Sequence, residues 1–177
     1  PSNRSSHTTP IIRGGGIIFP ISILLYGFFV NLSFPYFFIA VIILSIISFI
    51  DDIYTISSSW RFLFQIIASI LVLFEVFDEF SIYPILLFPL IIGGVNAYNF
   101  MDGINGITAA YSLVSLVSLL AANYFIGFVD SELILMVIYS VVVFSFFNFR
   151  KKAICFSGDV GSVSIAIIII FLVLKLV

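Results

Sequence analysis

Four polar clusters interrupt a chain that is otherwise apolar. They are residues 1–16 (PSNRSSHTTPIIRGGG), 51–61 (DDIYTISSSWR), 96–106 (NAYNFMDGING) and 148–162 (NFRKKAICFSGDVGS). The apolar stretches between them run for 34, 34 and 41 residues. A helix crosses a bilayer in about 20 residues, with a lower limit of about 17. Each stretch therefore holds two crossings, and two crossings bring the chain back to its starting side. All four clusters are thus predicted to meet on one membrane face. The pattern predicts helices over roughly 17–31, 36–50, 61–77, 83–100, 107–124, 132–148 and 161–177. Pro35, Pro84 and Pro89 are expected near helix starts, where a missing N–H costs least. The expected fold is all-α: a polytopic integral membrane bundle of about seven helices. A single transmembrane domain is expected over 1–177, with cytoplasmic loops at about 1–16, 51–61, 96–106 and 148–161.

Composition agrees. The chain is 62% hydrophobic and 9% charged, with a mean hydropathy of +1.30, whereas soluble domains are about 25% charged. That excludes an ordinary water-soluble domain. The single Cys155 excludes a disulfide within the chain. Charge placement orients the bundle. Arg4, Arg13, Arg61, Arg150, Lys151 and Lys152 lie in the four clusters, while the opposite loops carry Asp78, Glu79, Asp130 and Glu132. Basic loops stay inside, so the clusters are expected in the cytoplasm. Lys175 is the exception and is expected to snorkel to the far interface. Tyr36, Tyr54, Trp60 and Tyr83 fall near expected interfaces. The chain opens on Pro1 in a polar loop and stops in an apolar run, which reads as a piece lacking structure at both ends. No internal repeat is apparent.

The clusters contain candidate chemistry. Asp51 and Asp52 close the second span, and adjacent helical residues point about 100° apart. They either cap a turn or serve a site, since acids at a membrane edge are costly and tend to be functional. Asn96, Asn99 and Asp102 recur every third residue and form one helical stripe. Such a stripe either bonds neighbouring helices or faces a metal and a polar ligand. Gly103, Asn105 and Gly106 follow it as a turn. Gly158, Asp159, Gly161 and Ser162 open an aliphatic helix. Asp159 either caps that helix or holds a cation while the free N–H groups bind a phosphate. In the first cluster, Arg4, His7 and Arg13 precede Gly14, Gly15 and Gly16, whose N–H groups are open to an anion. The run Arg150, Lys151, Lys152 fixes topology or meets anionic lipid.

Asp51, Asp52, Asp102 and Asp159 bring up to four negative charges to one pocket. A hard divalent cation relieves their repulsion, and Mg²⁺ binds through a few carboxylates plus substrate phosphates. The residues thus suggest Mg²⁺-dependent phosphoryl transfer at a membrane face, with one lipid substrate.

The ordered set RSSH…RGGG, DD, NxxNxxDGxNG and GDxGS resembles the polyprenyl-phosphate N-acetylhexosamine-1-phosphate transferases. These bacterial and eukaryotic enzymes move a sugar-1-phosphate from a UDP-sugar to a polyprenyl or dolichyl phosphate and release UMP. The resemblance spans the chain and is nearest to bacterial enzymes that begin O-antigen, capsule or related surface polysaccharides. It implies Asp159 as the principal Mg²⁺ ligand, with Asn99 and Asp102 beside it, and Mn²⁺ as the alternative ion. It implies that Asp51 and Asp52 orient or deprotonate the lipid phosphate, making Asp51, Asp52, Asp102 and Asp159 the catalytic acids. Asn105 matches the uracil-contacting position, where many bacterial members have Asp. Asn96, Gly106, Arg4, His7, Arg13, Gly14, Gly15, Gly158 and Ser162 are the further substrate-binding candidates. The family's later His-containing or basic loop lies beyond residue 177.

The partners implied are a UDP-N-acetylhexosamine, undecaprenyl phosphate and membrane lipid in a bacterial plasma membrane. A homodimer stays open, and no nucleic acid is expected. A membrane transporter for an anionic or nucleotide-sugar substrate is the rival reading, although it favours acids at mid-membrane in broken helices. A CDP-alcohol phosphotransferase needs a DGxxAR-type run, and here Ile104-Asn105-Gly106 follows Gly103.

Overall fold

A computed structural model describes residues 12–77, 82–150 and 153–177, with the side chains of 82 and 83 left out. After a 3-10 turn at Gly15–Ile17 come seven helices: α1 (Ile18–Phe29), α2 (Pro35–Ile53), α3 (Ser58–Val76), α4 (Ile82–Met101), α5 (Ile107–Ile126), α6 (Ser131–Asn148) and α7 (Gly158–Leu176). Among the described residues there is no strand, only a parallel bridge between Ile12 and Cys155. The protein is the expected all-α membrane bundle.

Six helices, α2 to α7, are long and apolar enough to cross a membrane. The first is a correction. α1 has 12 residues, about 18 Å of helix, which is short of a bilayer core. It stops before Asn31, whose side chain bonds Asp130 instead. The expected loop at 51–61 also shrinks. α2 continues through Asp51 and Asp52 to Ile53, and α3 starts at Ser58, so both acids and Arg61 are helical. Pro35 sits at the start of α2 as expected. Pro89, however, lies inside α4, where its ring removes one helical hydrogen bond. Transmembrane helices tolerate this when neighbours re-satisfy the freed group.

α7 is the axis of the bundle. It touches the 3-10 turn, α1, α2, α3, α4 and α5, while α6 packs on α5 and α1. A helix that is apolar all round has to be covered all round, and Val160, Ile165, Ala166, Ile167, Ile168, Phe171 and Leu172 are buried. Lipid offers no aqueous driving force, so close packing and interhelical hydrogen bonds hold such helices together. Phe171 stacks on Phe37 with ring centroids 3.9 Å apart, and the Ser45 and Ser164 hydroxyls meet at 2.9 Å.

The end of the bundle far from the clusters is closed by its own polar contacts. Glu75 accepts the Tyr36 and Phe37 N–H groups at 2.6 and 3.1 Å, capping α2. Lys175 donates to the Glu75 carbonyl at 2.9 Å and sits over the Phe34 ring. The Tyr26 hydroxyl donates to Asp130 at 2.6 Å. Asp78 and Glu79 fall outside the described residues.

Candidate functional site at the clustered end

At the opposite end the clusters meet, as their spacing predicts. Asp51 and Asp52 come from the last turn of α2, Arg61 from the first of α3, Asn96 and Asn99 from the end of α4, and Asp159 from the start of α7. The two aspartates of the pair turn apart. Asp51 accepts the Ile56 N–H at 2.8 Å and the Arg61 guanidinium at 3.1 Å. Asp52 accepts the Asp159 and Val160 N–H groups, both at 3.0 Å. Asp102 takes Thr108 on one oxygen at 3.0 Å and the Gly158 N–H on the other at 3.1 Å. Burial pushes the Asp102 carboxyl above its usual range, and the nearby Asp52 charge adds to that shift.

These contacts change two expectations. The first N–H groups of α7 are not open to a phosphate here, because Asp52 and Asp102 cap them from two other elements. Nor does Asp159 cap its own helix; no side-chain cap forms at Ser157 either. The triple glycine is likewise engaged. Gly15 and Gly16 donate their N–H groups to the Phe156 and Ser157 carbonyls at 2.9 and 3.0 Å. The RGGG and GDVGS motifs are therefore clipped together backbone to backbone. Gly16 lies against Gly161 so closely that a Cβ on either would strike the other's Cα. Gly158 has a φ of 71°, and its missing Cβ leaves room for Gly14 N and for Asp52.

A cavity of about 540 Å³ opens between α2, α3, α4 and α7. Its lining is mixed: Arg61, Asp159, Asn99, Asn96, Gln65, Ser48, Ser58 and Ser59 are polar, and Leu44, Ile47, Phe62, Phe100 and Val163 are apolar. Arg61 spans two carboxylates, 3.1 Å from Asp51 and 3.4 Å from Asp159. Asn99 donates to Ser162 at 3.2 Å. Asn96 and Gln65 form a reciprocal amide pair at 3.0 and 3.3 Å. The polar stripe of α4 bonds neighbouring helices, through Asn96 to α3 and Asn99 to α7. Asn96 pairs with a neighbouring helix and Asn99 also faces the cavity, while Asp102 ties down the α4–α5 turn.

That turn is locked from the other side. Asn148 accepts the Gly106 N–H at 2.8 Å and donates to the Cys155 carbonyl at 2.9 Å. Asn105 donates to the Arg150 carbonyl at 3.1 Å. Gly103 and Gly106 take the positive φ angles of the turn, and Asn105 does not. Arg13 is exposed beside Gly14, and Arg4, His7, Lys151 and Lys152 lie outside the described residues.

Gln65 and Asn148 escape a reading based on motifs. Gln65 is the sole glutamine of the chain and lies one helical turn after Arg61 in an apolar run, a signal that was available. Arg61 is visible in sequence as a topology marker but not as a bridge. Among the described residues no three His, Cys, Asp or Glu side chains form a ready-made metal cage. Asp159 and Asn99 do offer a carboxylate and an amide oxygen at one cavity wall. That set fits Mg²⁺, which takes one or two carboxylates and completes its shell with water and phosphate oxygens.

The profile of glycosyl transferase family 4 matches residues 34–177. The chain is also 29% identical over 182 residues to the probable undecaprenyl-phosphate N-acetylglucosaminyl 1-phosphate transferase of Bacillus subtilis (strain 168). That match covers 92% of this chain and 50% of the relative, so the chain spans about half the length of the relative it matches. The profile match takes in all six long helices and three of the four polar clusters, and the chain belongs to glycosyl transferase family 4.

Proposed function

We propose that the full-length protein transfers a sugar-1-phosphate, an N-acetylhexosamine-1-phosphate by default, from a UDP-sugar to undecaprenyl phosphate. The products are a polyprenyl-diphosphate-linked sugar and UMP. This is the first membrane step of a surface polysaccharide, at the cytoplasmic face of a bacterial plasma membrane. The observation that carries the reading is the mixed lining of the cavity, where Asp159, Asn99 and Arg61 share the space with Leu44, Ile47, Phe62 and Val163. A lipid phosphate needs both kinds of surface, polar for its anionic head and apolar for the start of its chain.

The residues divide the work. Arg61 offers a guanidinium suited to phosphate oxygens, and Asp51 holds its Nη1 at 3.1 Å. Asp159 and Asn99 would hold Mg²⁺, or Mn²⁺ in its place, which when bound neutralises the diphosphate and the departing UMP. The lipid phosphate is anionic at neutral pH, so its oxygen attacks the sugar-linked phosphorus without an obligatory base. The Asn96–Gln65 pair holds the polar lining in register. Asn105, in the locked α4–α5 turn, is the candidate for the uracil ring.

The test uses the full-length protein in detergent with UDP-GlcNAc and undecaprenyl phosphate. UMP release is expected to require lipid and Mg²⁺ and to fall at least about a hundredfold in Asp159→Asn, as loss of transition-state charge stabilisation does. Folded protein that releases no UMP across a panel of UDP-amino sugars, yet moves one of them into sealed proteoliposomes, would make it a transporter instead.

A further inference from the structure

We infer that Asp52 is a positioning residue that acts through the first turn of α7, in a role separate from that of its neighbour Asp51. The inference rests on the transferase reading above for what α7 positions. Both Asp52 oxygens are committed, Oδ1 to the Asp159 N–H and Oδ2 to the Val160 N–H, each at 3.0 Å. The carboxylate is packed over a position that has no Cβ, since one on Gly158 would come within 2.7 Å of Asp52 Oδ2. Two hydrogen bonds to consecutive amides fix the rotation of a helical turn as well as its place. They also set a full negative charge on the positive end of the helix. The rotation decides where the Asp159 side chain leaves the helix, which here is toward Arg61 and the cavity.

Asp51 is arranged differently. It bonds Arg61, which lines the cavity, and the backbone of its own loop at Ile56. An Asp52 that took a proton from a substrate would become a weaker acceptor and loosen its hold on α7, and with it Asp159. Proton uptake at Asp52 therefore works against the bonds that hold α7 in place.

Hydrogen–deuterium exchange of the full-length protein in detergent reads this directly. The samples are wild type, Asp51→Asn, Asp52→Asn and Asp52→Ala, followed over 153–164, with α5 and α6 as internal reference. Asp52→Ala loses both acceptors and should speed exchange at 159 and 160 by roughly tenfold, the worth of a charge-assisted hydrogen bond. Asp52→Asn keeps one acceptor and should give a smaller rise, and Asp51→Asn should give none. The residual turnover of Asp52→Asn should keep the wild-type pH profile while its Mg²⁺ requirement rises by about threefold or more, the mark of a misplaced Asp159.

Unchanged exchange at 159 and 160 in both Asp52 variants overturns the inference. So does an equal rise throughout α5 and α6, or a pH profile whose acid limb disappears in Asp52→Asn. A wild-type protein with no transferase turnover sinks the transferase reading alone, because the exchange arm still decides whether Asp52 holds α7.

Discussion

Adding one methyl group to Gly161 tests the clip between the two glycine motifs. A Cβ there would lie 2.6 Å from Gly16 Cα, 2.7 Å from Ser157 Cβ and 3.3 Å from the Gly16 carbonyl carbon. Comfortable carbon contacts are about 3.5–4.0 Å, so two of the three are short by nearly an ångström. The nearest atom belongs to the backbone, which cannot rotate away as a side-chain tip does. Overpacking of this kind costs about 1–3 kcal/mol, and the better helix preference of Ala returns up to about 1 kcal/mol. Gly161→Ala should therefore lose about 1–2 kcal/mol, or about 2–8 °C in Tm for a chain of this size. Gly93→Ala is the matched control, because a Cβ at Gly93, also helical, meets nothing within 4 Å. It should leave Tm unchanged or raise it slightly. The assay is a thermal melt of the full-length protein in one detergent. Equal melting temperatures for the two variants would refute the close backbone crossing.

Other outcomes follow from the same contacts. Gln65→Ala and Asn96→Ala should each cost about 1–3 kcal/mol by stranding a part-buried amide. A double-mutant cycle in denaturation should then show the two losses to be less than additive by about 0.5 kcal/mol or more. Arg61→Met should lower UMP release at least about tenfold while moving Tm little, since Arg61 is 42% exposed and such ion pairs contribute about 0–1 kcal/mol; equal losses in both would contradict its place at the cavity. Burial pushes the Cys155 thiol above its ordinary value, with Asp102 adding to the shift. Iodoacetamide should therefore label Cys155 slowly at neutral pH and faster as pH rises, because the thiolate is the nucleophile; mass spectrometry against a free cysteine peptide checks it.

Much of this architecture is legible because membrane insertion makes hydropathy a direct record of topology. Helices α3, α5 and α6 start and stop within about three residues of the bounds read from apolar runs, within the usual uncertainty of helix ends. The convergence of Asp51, Asp102 and Asp159 follows from counting crossings, and contacts now join their motifs. What hydropathy could not supply is partner choice. Sequence gives a helix end and a carboxylate the same appearance whether the acid meets a ligand or the amides of another helix. The α7 amides and the glycine amides are satisfied by groups 56 or more residues away, and no local pattern encodes that. Gln65 shows the complementary limit. One amide in an apolar helix signals a partner, but its spacing does not say that the partner is Asn96.

The position of α7 in the chain also bears on how the protein is made. Chains emerge N-terminal end first, so α1 to α6 enter the membrane before the helix around which most of them pack. Until α7 arrives, Asp52 and Asp102 lack the amides they hold, Phe37 lacks Phe171, and the cavity has no Asp159. Contacts that wait for so distant a segment are slow to close. The pairs α2–α3, α5–α6 and α1–α6 can pack before it arrives, but the site is complete only once the seventh helix is in place. In a chain arrested before residue 158, Asp51 keeps Arg61 and Asp102 keeps Thr108, but Asp52 is left without either of the amides it holds in the complete bundle.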